Sequence, residues 1–408
     1  MLSLGENPVT DREDTAVPRA GDGVTSALLA ALRSDPPPPF SLYRYLPLPD
    51  GPGPGEPAWE ERGIDVDQTN HSVVVGERIV VKWMAVPAPL PHPTLVAFAH
   101  LTEAGFEHTA PPYAALTVVG SSGAERLLAL VTGYLPEARD GWEWCVDEAE
   151  AGRTAFASTL GRLAADLHLA LATFPPASAQ APPASPAVTP PATPPTSAPA
   201  SAPASAPASA PASAPASVLG SALADRAERA LEEALELTDG EDGTWLREHA
   251  DALRARLEPL ADAVGGATIR IHGDLHVGQI LQWRDGYAVI DFDGNPTVAQ
   301  AEPYQPAARD VAQLTTSLEH VAQVAIRRRG TAPSAAATWA ATAREGLLSA
   351  YRERLRAEGR PELLDERLIG PFEIEQECRE LIYSARHLPR WRYAPMGVLR
   401  TRFTEETP

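Results

Sequence analysis

Residues 175 to 217 run from PPASAQAPPASPAVTPP into five tandem SAPA units that begin at Ser197, with no charged side chain, no aromatic ring and almost nothing large enough to bury. Such a stretch cannot offset the entropy of ordering it, and its prolines favour extended, polyproline-like conformations. It is expected to be a mobile spacer looping out of a folded body; a proline-rich ligand for a partner module is the alternative reading. The core of this 408-residue chain must therefore come from the stretches on either side. Apolar residues recur at helical spacing in RTAFASTLGRLAADLHLALATF before the spacer, and in LADRAERALEEALEL and WLREHADALRARLEPLADAV after it. The spacer thus interrupts a helical region.

Residues 66 to 134 have a different texture. SVVVGERIVVKWMAV reads as two β-rich runs joined by a tight Gly-Glu turn, RLLALVTGYL as another strand, and PTLVAFAHLTEAGF between them as one helix closed by Gly105. From residue 300 the pattern is helical again, in RDVAQLTTSLEHVAQVAI, TAREGLLSAYRERLRAEG and GPFEIEQECRELIYSARHL. The expected layout is an N-terminal cap over residues 1 to 65, a β-rich lobe over 66 to 136 and a larger helical lobe over 137 to 408, an α+β arrangement.

With 54 acidic against 34 basic residues the net charge is −20, which repels phosphate backbones and anionic lipid. Nucleic acid and membrane partners are not expected. Cys145 and Cys378 stand alone without a partner motif, so no disulfide framework or cysteine zinc site is supported, and a cytoplasmic location fits.

The densest chemistry lies in RIHGDLHVGQILQWRDGYAVIDFDGNP, residues 270 to 296, between short apolar runs that read as strands. Phosphoryl transfer needs a carboxylate to take the acceptor hydroxyl's proton and oxygen ligands for magnesium on the nucleotide phosphates. Protein kinases supply these from a loop with His, Asp two residues on and an amide five residues later, followed by a second Asp at a strand end. His272, Asp274 and Gln279 reproduce that spacing, and Asp291 follows the strand YAVI. Alternatively His272, Asp274 and His276 present three ligands to zinc, or the cluster merely caps two strand ends.

With these residues in view, the chain resembles the aminoglycoside phosphotransferase-like kinases, whose catalytic segment has the form HGDxHxGN followed by an IDF or IDW strand end. It is closer to the actinobacterial maltokinases, which carry glutamine in place of that asparagine. NHSVVVGERIVVKW looks like their nucleotide loop and lysine strand, EARDGWEW like the segment after their hinge, and RDVAQL and FEIEQECRELIYSARHLP like their C-terminal helices. Departures at DFDGNP and HLPRWRYAP are similar to the glucosamine kinases of actinobacteria.

The resemblance implies a bilobal protein-kinase-like fold and ATP-dependent, magnesium-assisted transfer, most specifically to the 6-hydroxyl of D-glucosamine. It makes Asp274 the base, Gln279 and Asp291 the magnesium ligands, and Lys82 the partner of the α and β phosphates. Asn70, His71 and Ser72 fall at a hairpin tip over the phosphates, with Val131 to Gly133 as the adenine-binding hinge. A glutamate expected to pair with Lys82 from the following helix is represented only by Glu103, near that helix's far end, so the partner of Lys82 is unassigned. Glu373, Glu377, Trp391 and Asp293 are the candidate acceptor ligands, carboxylates suiting an ammonium and an indole suiting a pyranose face. Their bland alternatives are a solvated helix face for the glutamates, a core position for Trp391 and a turn for Asp293. Maltose or aminoglycoside phosphorylation are the nearest rivals, and a nucleotide-binding scaffold without catalysis is the rival of another class.

Overall fold

The computed structural model describes residues 17–33, 36–51, 59–64, 70–120, 123–174, 216–263, 266–294, 302 and 304–404. The spacer lies outside them except for its last two residues, which open a helix. Six strands, β1 (Phe40–Arg44), β2 (Glu61–Gly63), β3 (His71–Val75), β4 (Ile79–Pro89), β5 (Pro112–Val119) and β6 (Glu125–Gly133), form one antiparallel sheet in the order β1-β5-β6-β4-β3-β2. Strand side chains alternate between faces. Val73, Val75, Ile79, Val81 and Val131 therefore share one face, which α1 (Val24–Ala31) covers with Leu28 and, just past its end, Leu32. Met84, Leu127 and Leu130 turn to the other face and the main core, where α2 (Pro93–Glu103) packs Leu95, Phe98 and Leu101. The segment expected as an N-terminal cap thus supplies both edge strands of this sheet, and its α1 lies over one face.

Beyond β6 the chain is mostly helical: α3 (Gly141–Glu150), α4 (Phe156–Leu171), α5 (Ala216–Leu237), α6 (Gly240–Glu248), α7 (Ala250–Leu257), α8 (Ala308–Val324), α9 (Pro333–Ala357), α10 (Ile369–Arg386) and α11 (Tyr393–Thr404). The periodicity of WLREHADALRARL predicts one helix, but the structure divides it between α6 and α7. His249 leaves helical geometry at φ −103°, ψ 5°, stacks its ring on Trp245 at 3.9 Å and sets Nδ1 2.8 Å from the Trp245 carbonyl oxygen. Local side-chain bonding competes there with the helix ladder. Between α7 and α8 lie four short strands, β7 (Ile269–Arg270), β8 (Ile280–Trp283), β9 (Gly286–Val289) and β10 (Tyr304–Gln305), paired β7 with β10 and β8 with β9. Among the described residues no helix is long and apolar enough to cross a membrane.

Candidate active site

The loop after β7 is held from beneath by one buried carboxylate. Asp310, in the first turn of α8 and fully buried, accepts hydrogen bonds from the backbone N–H groups of His272 (2.7 Å) and Gly273 (2.9 Å). His168 of α4 faces the same carboxylate at 3.1 Å through Nε2 and meets the Tyr351 hydroxyl at 2.6 Å through Nδ1. Burial opposes the charge on Asp310, but His168 and the loop amides outweigh it and hold its carboxyl below the ordinary range. Gly273 takes φ +84°, a left-handed turn that a side chain would strain. Another close approach fixes the far end of the loop: a Cβ on Gly141, at the start of α3, would lie 1.7 Å from the Val277 carbonyl oxygen.

His272 is buried, with Nε2 donating to the Ile290 carbonyl (3.0 Å) and Nδ1 accepting from the Asp274 N–H (3.3 Å). Both ring nitrogens are engaged with backbone, so His272 shapes the loop and offers no lone pair to a metal. Asp274 itself is 15% exposed. Its carboxylate accepts from Gln313 of α8 at 2.7 Å and from Gln279 at 3.4 Å, with His276 3.7 Å away. Burial pushes the Asp274 carboxyl up, yet His276, His272 and Gln313 together bring it below the ordinary value, leaving it ionised at neutral pH. That is the state a hydroxyl proton acceptor requires.

Asp291 ends the β8–β9 hairpin in a left-handed backbone conformation, φ 63°, that a non-glycine residue adopts only under local constraint. Lys82, in the middle of β4, sets Nζ 3.7 Å from both Asp291 and Asp293. Asp293 also accepts from the Thr94 hydroxyl and faces His92, both at the N-terminus of α2. Burial raises the Asp291 carboxyl, as does neighbouring Asp293, whereas Lys82 and Thr94 carry Asp293 below the ordinary range against the same burial. Two carboxylates facing one ammonium leave this point short of positive charge. Gln279 turns its amide nitrogen to Asp274, which leaves the amide oxygen for another partner. Amide and carboxylate oxygens are hard donors of the kind Mg2+ takes alongside water and phosphate.

A wall of rings leads away from Asp274. His276 lies 5.8 Å from Trp142 of α3, Trp142 lies 5.7 Å from Trp391, and Trp391 lies 5.6 Å from His320 of α8. Two glutamates of α10 close its end: Glu380 accepts from the Trp391 indole N–H (2.8 Å), and Glu377 meets His320 Nε2 at 2.9 Å. Glu377 is fully buried, and its Oε1 has no hydrogen-bond partner. Burial pushes its carboxyl up to about 7 against the pull of His320.

Residues 97–294 match the phosphotransferase enzyme family. The glucosamine kinase of Streptacidiphilus jiangxiensis is 36% identical over 397 residues, covering 92% of this chain and 80% of that protein. The glucosamine kinase of Mycolicibacterium smegmatis is 33% identical over 428 residues, covering 98% of this chain and 96% of that protein. The chain belongs to the glucosamine kinase family. A solved glucosamine kinase in complex with glucosamine, ADP and inorganic phosphate has the same fold at a TM-score of 0.72 and 32% identity, over 96% of this chain and 84% of that one. The bilobal, protein-kinase-like α+β architecture is thereby that of the glucosamine kinases.

Against this family frame, several expected residues move. Glu373 is 2% exposed, and its carboxylate accepts from Thr315 (2.6 Å), Arg344 (3.1 Å) and Arg402 (2.9 Å), so it is an internal counter-ion and has no oxygen left for an acceptor. Asp293 faces Lys82 and the β-rich lobe, where it fills the partner role sought from Glu103, which is exposed. Val131 lies inside the sheet, laddered to Val81 and Ala114, with its side chain buried on the α1 face. Gly133 donates its N–H to the Pro111 carbonyl at 2.8 Å, so neither residue presents a free N–H edge. Ser72 stands opposite Lys82 in the β3–β4 register, and His71 and Asn70 precede it at the exit of the β2–β3 connection, residues 65–69 of which lie outside the described set. Asn70 accepts from the Ala85 N–H at 3.0 Å. No local motif marks Gln313, Asp310, Trp142 or His320 as parts of the site. Helical spacing does place Asp310, Gln313 and Ser317 on one face of α8, the only available hint.

Proposed function

We propose that this chain transfers the terminal phosphate of ATP to the 6-hydroxyl of D-glucosamine. The observation that carries the reading is Asp274: an ionised carboxylate, fixed by Gln313 and Gln279, at the junction of the kinase-type loop and a wall of rings ending in acidic side chains. The naming of both relatives as glucosamine kinases, over nearly the whole of this chain, supports the choice of acceptor.

Asp274 accepts the proton of the attacking hydroxyl as the oxygen approaches phosphorus. Lys82 turns from Asp291 and Asp293 towards the α and β phosphates, with His71 and Ser72 beside it. The chain beyond Gly133, rather than Val131, meets the adenine. Gln279 and Asp291 would hold Mg2+, which would supply charge neutralisation to the nucleotide phosphates when bound. Trp391 and Trp142 face the pyranose, while Glu380, the half-buried carboxylate on the Trp391 indole, supplies the negative end that favours an ammonium over a hydroxyl; Glu377, expected as a second acceptor ligand, is fully buried against His320 and stands behind that wall.

A single acceptor screen decides the matter: ADP release measured with glucosamine, glucose, maltose and an aminoglycoside side by side, with the product's phosphate position read by NMR. Turnover is expected with glucosamine and a 6-phosphate product. Turnover on maltose with none on glucosamine would overturn the reading.

A further inference from the structure

We infer that the helical lobe carries a second anion site, between α5 and α10, that binds the phosphate group of a small molecule. In a chain of net charge −20, a cavity of about 240 Å³ is lined by Arg226 and Arg229 of α5 and by Arg379 and Arg386 of α10, with Glu233 as its one carboxylate. Glu233 is already bonded to Arg386. Beneath them the fully buried Glu375 is shared by Arg379 (2.7 Å), Arg309 (2.5 Å) and Arg226 (3.4 Å). The four guanidiniums lining the cavity thus face Glu233, already bonded to Arg386, and Glu375, which is shared with Arg309. Arg229 forms no ion pair among the described residues, and the buried Nε atoms of Arg226 and Arg309 have no hydrogen-bond acceptor. Burial, followed by the charges of Arg309 and other neighbouring arginines, brings the Arg226 guanidinium down to about 9 against the pull of Glu375.

Guanidiniums bind phosphate oxygens in pairs, and clustered arginines are a recurrent device for holding a dianion. The cavity lies below the roughly 300–1,000 Å³ of drug-sized sites, which admits inorganic phosphate or a hexose monophosphate and disfavours a nucleotide. Ile382 and the half-exposed ring of Tyr383 give it an apolar side suited to a sugar body.

The test is isothermal titration of the full chain with inorganic phosphate and with glucose 6-phosphate in about 0.15 M NaCl, where diffuse surface attraction is screened. The comparison is with the Arg229→Gln/Arg386→Gln variant, and ADP affinity reports folding and the nucleotide site. At least one of the two ligands is expected to bind the native chain, and the variant to lose about tenfold or more of that affinity with ADP binding unchanged. Tighter binding of the ester identifies a sugar phosphate as the occupant; equal binding identifies free phosphate. Should the double variant fail to fold, Arg229→Gln, at an exposed position, gives the same reading. Absence of binding by either ligand, or an isotherm the variants do not alter, would overturn the inference.

Discussion

Asp274 is held as a base by groups far from it in sequence. Gln313 lies on a helix, and Asp310 three residues before it fixes the backbone on which Asp274 sits. Asp274→Asn retains the shape and removes the proton acceptor. Turnover is expected to fall by about 10²–10⁴-fold, with ADP affinity by calorimetry nearly unchanged. Unaltered turnover would remove Asp274 from its role. Asp310→Asn acts differently, because two backbone N–H groups and His168 lose a charged acceptor in a buried place. A loss of roughly 2–4 kcal/mol in urea unfolding is expected, together with lower activity. Spacing made Asp274 legible in the sequence, whereas its supports were not, since nothing local in AARDVAQLTTS says which loop it underlies.

Among the elements, α10 was the most misleading from sequence. Its first half, ordinarily expected as a solvated face, is buried, and three of its four glutamates have a cationic or imidazole partner: Glu373 with Arg344 and Arg402, Glu375 with Arg309 and Arg379, Glu377 with His320; the half-buried Glu380 accepts from Trp391. Removing one member strands the other in a low dielectric. Arg402→Ala, which leaves Glu373 and Glu319 underpaired, is expected to cost on the order of 3–5 kcal/mol in denaturant melts. Glu377 sets a pH dependence of the opposite sense to an ordinary paired carboxylate. Its folded value near 7 exceeds the ordinary glutamate value of 4.5, so its contribution is complete below about 4.5 and is lost as pH rises through 7. His320, raised by Glu377 against its burial, loses its contribution in the same direction. Tm is expected to decline between about pH 4.5 and 7 through Glu377, and Glu377→Gln to flatten that decline; an identical slope in the variant would refute it. The sheet held a second surprise. Pro112, Ala114 and Ala115 weaken the β signal of PYAALTVV, yet β5 lies between β1 and β6, where burial on both faces outweighs propensity.

For the whole molecule, the lobes meet where Lys82 and Thr94 of one reach Asp291 and Asp293 of the other. Replacing residues 175 to 215 with a short glycine-serine linker should leave Tm and turnover unaltered within error, because closure entropy varies slowly with loop length. A lower Tm would show that the spacer contributes to the folded body. Local patterns sufficed for much of this protein: the strand-loop-strand spacing of residues 270 to 296, the helical periodicity of the larger lobe and the lysine of β4 all follow from sequence, since each depends on neighbours within a few residues. Only the tertiary structure decided that Asp293 serves Lys82, that Glu373 is an internal counter-ion, and that Trp142, Trp391 and His320 form one wall. Those outcomes depend on pairs such as Thr94 and Asp293, 199 residues apart, which chain folding brings within a hydrogen bond and no local pattern encodes.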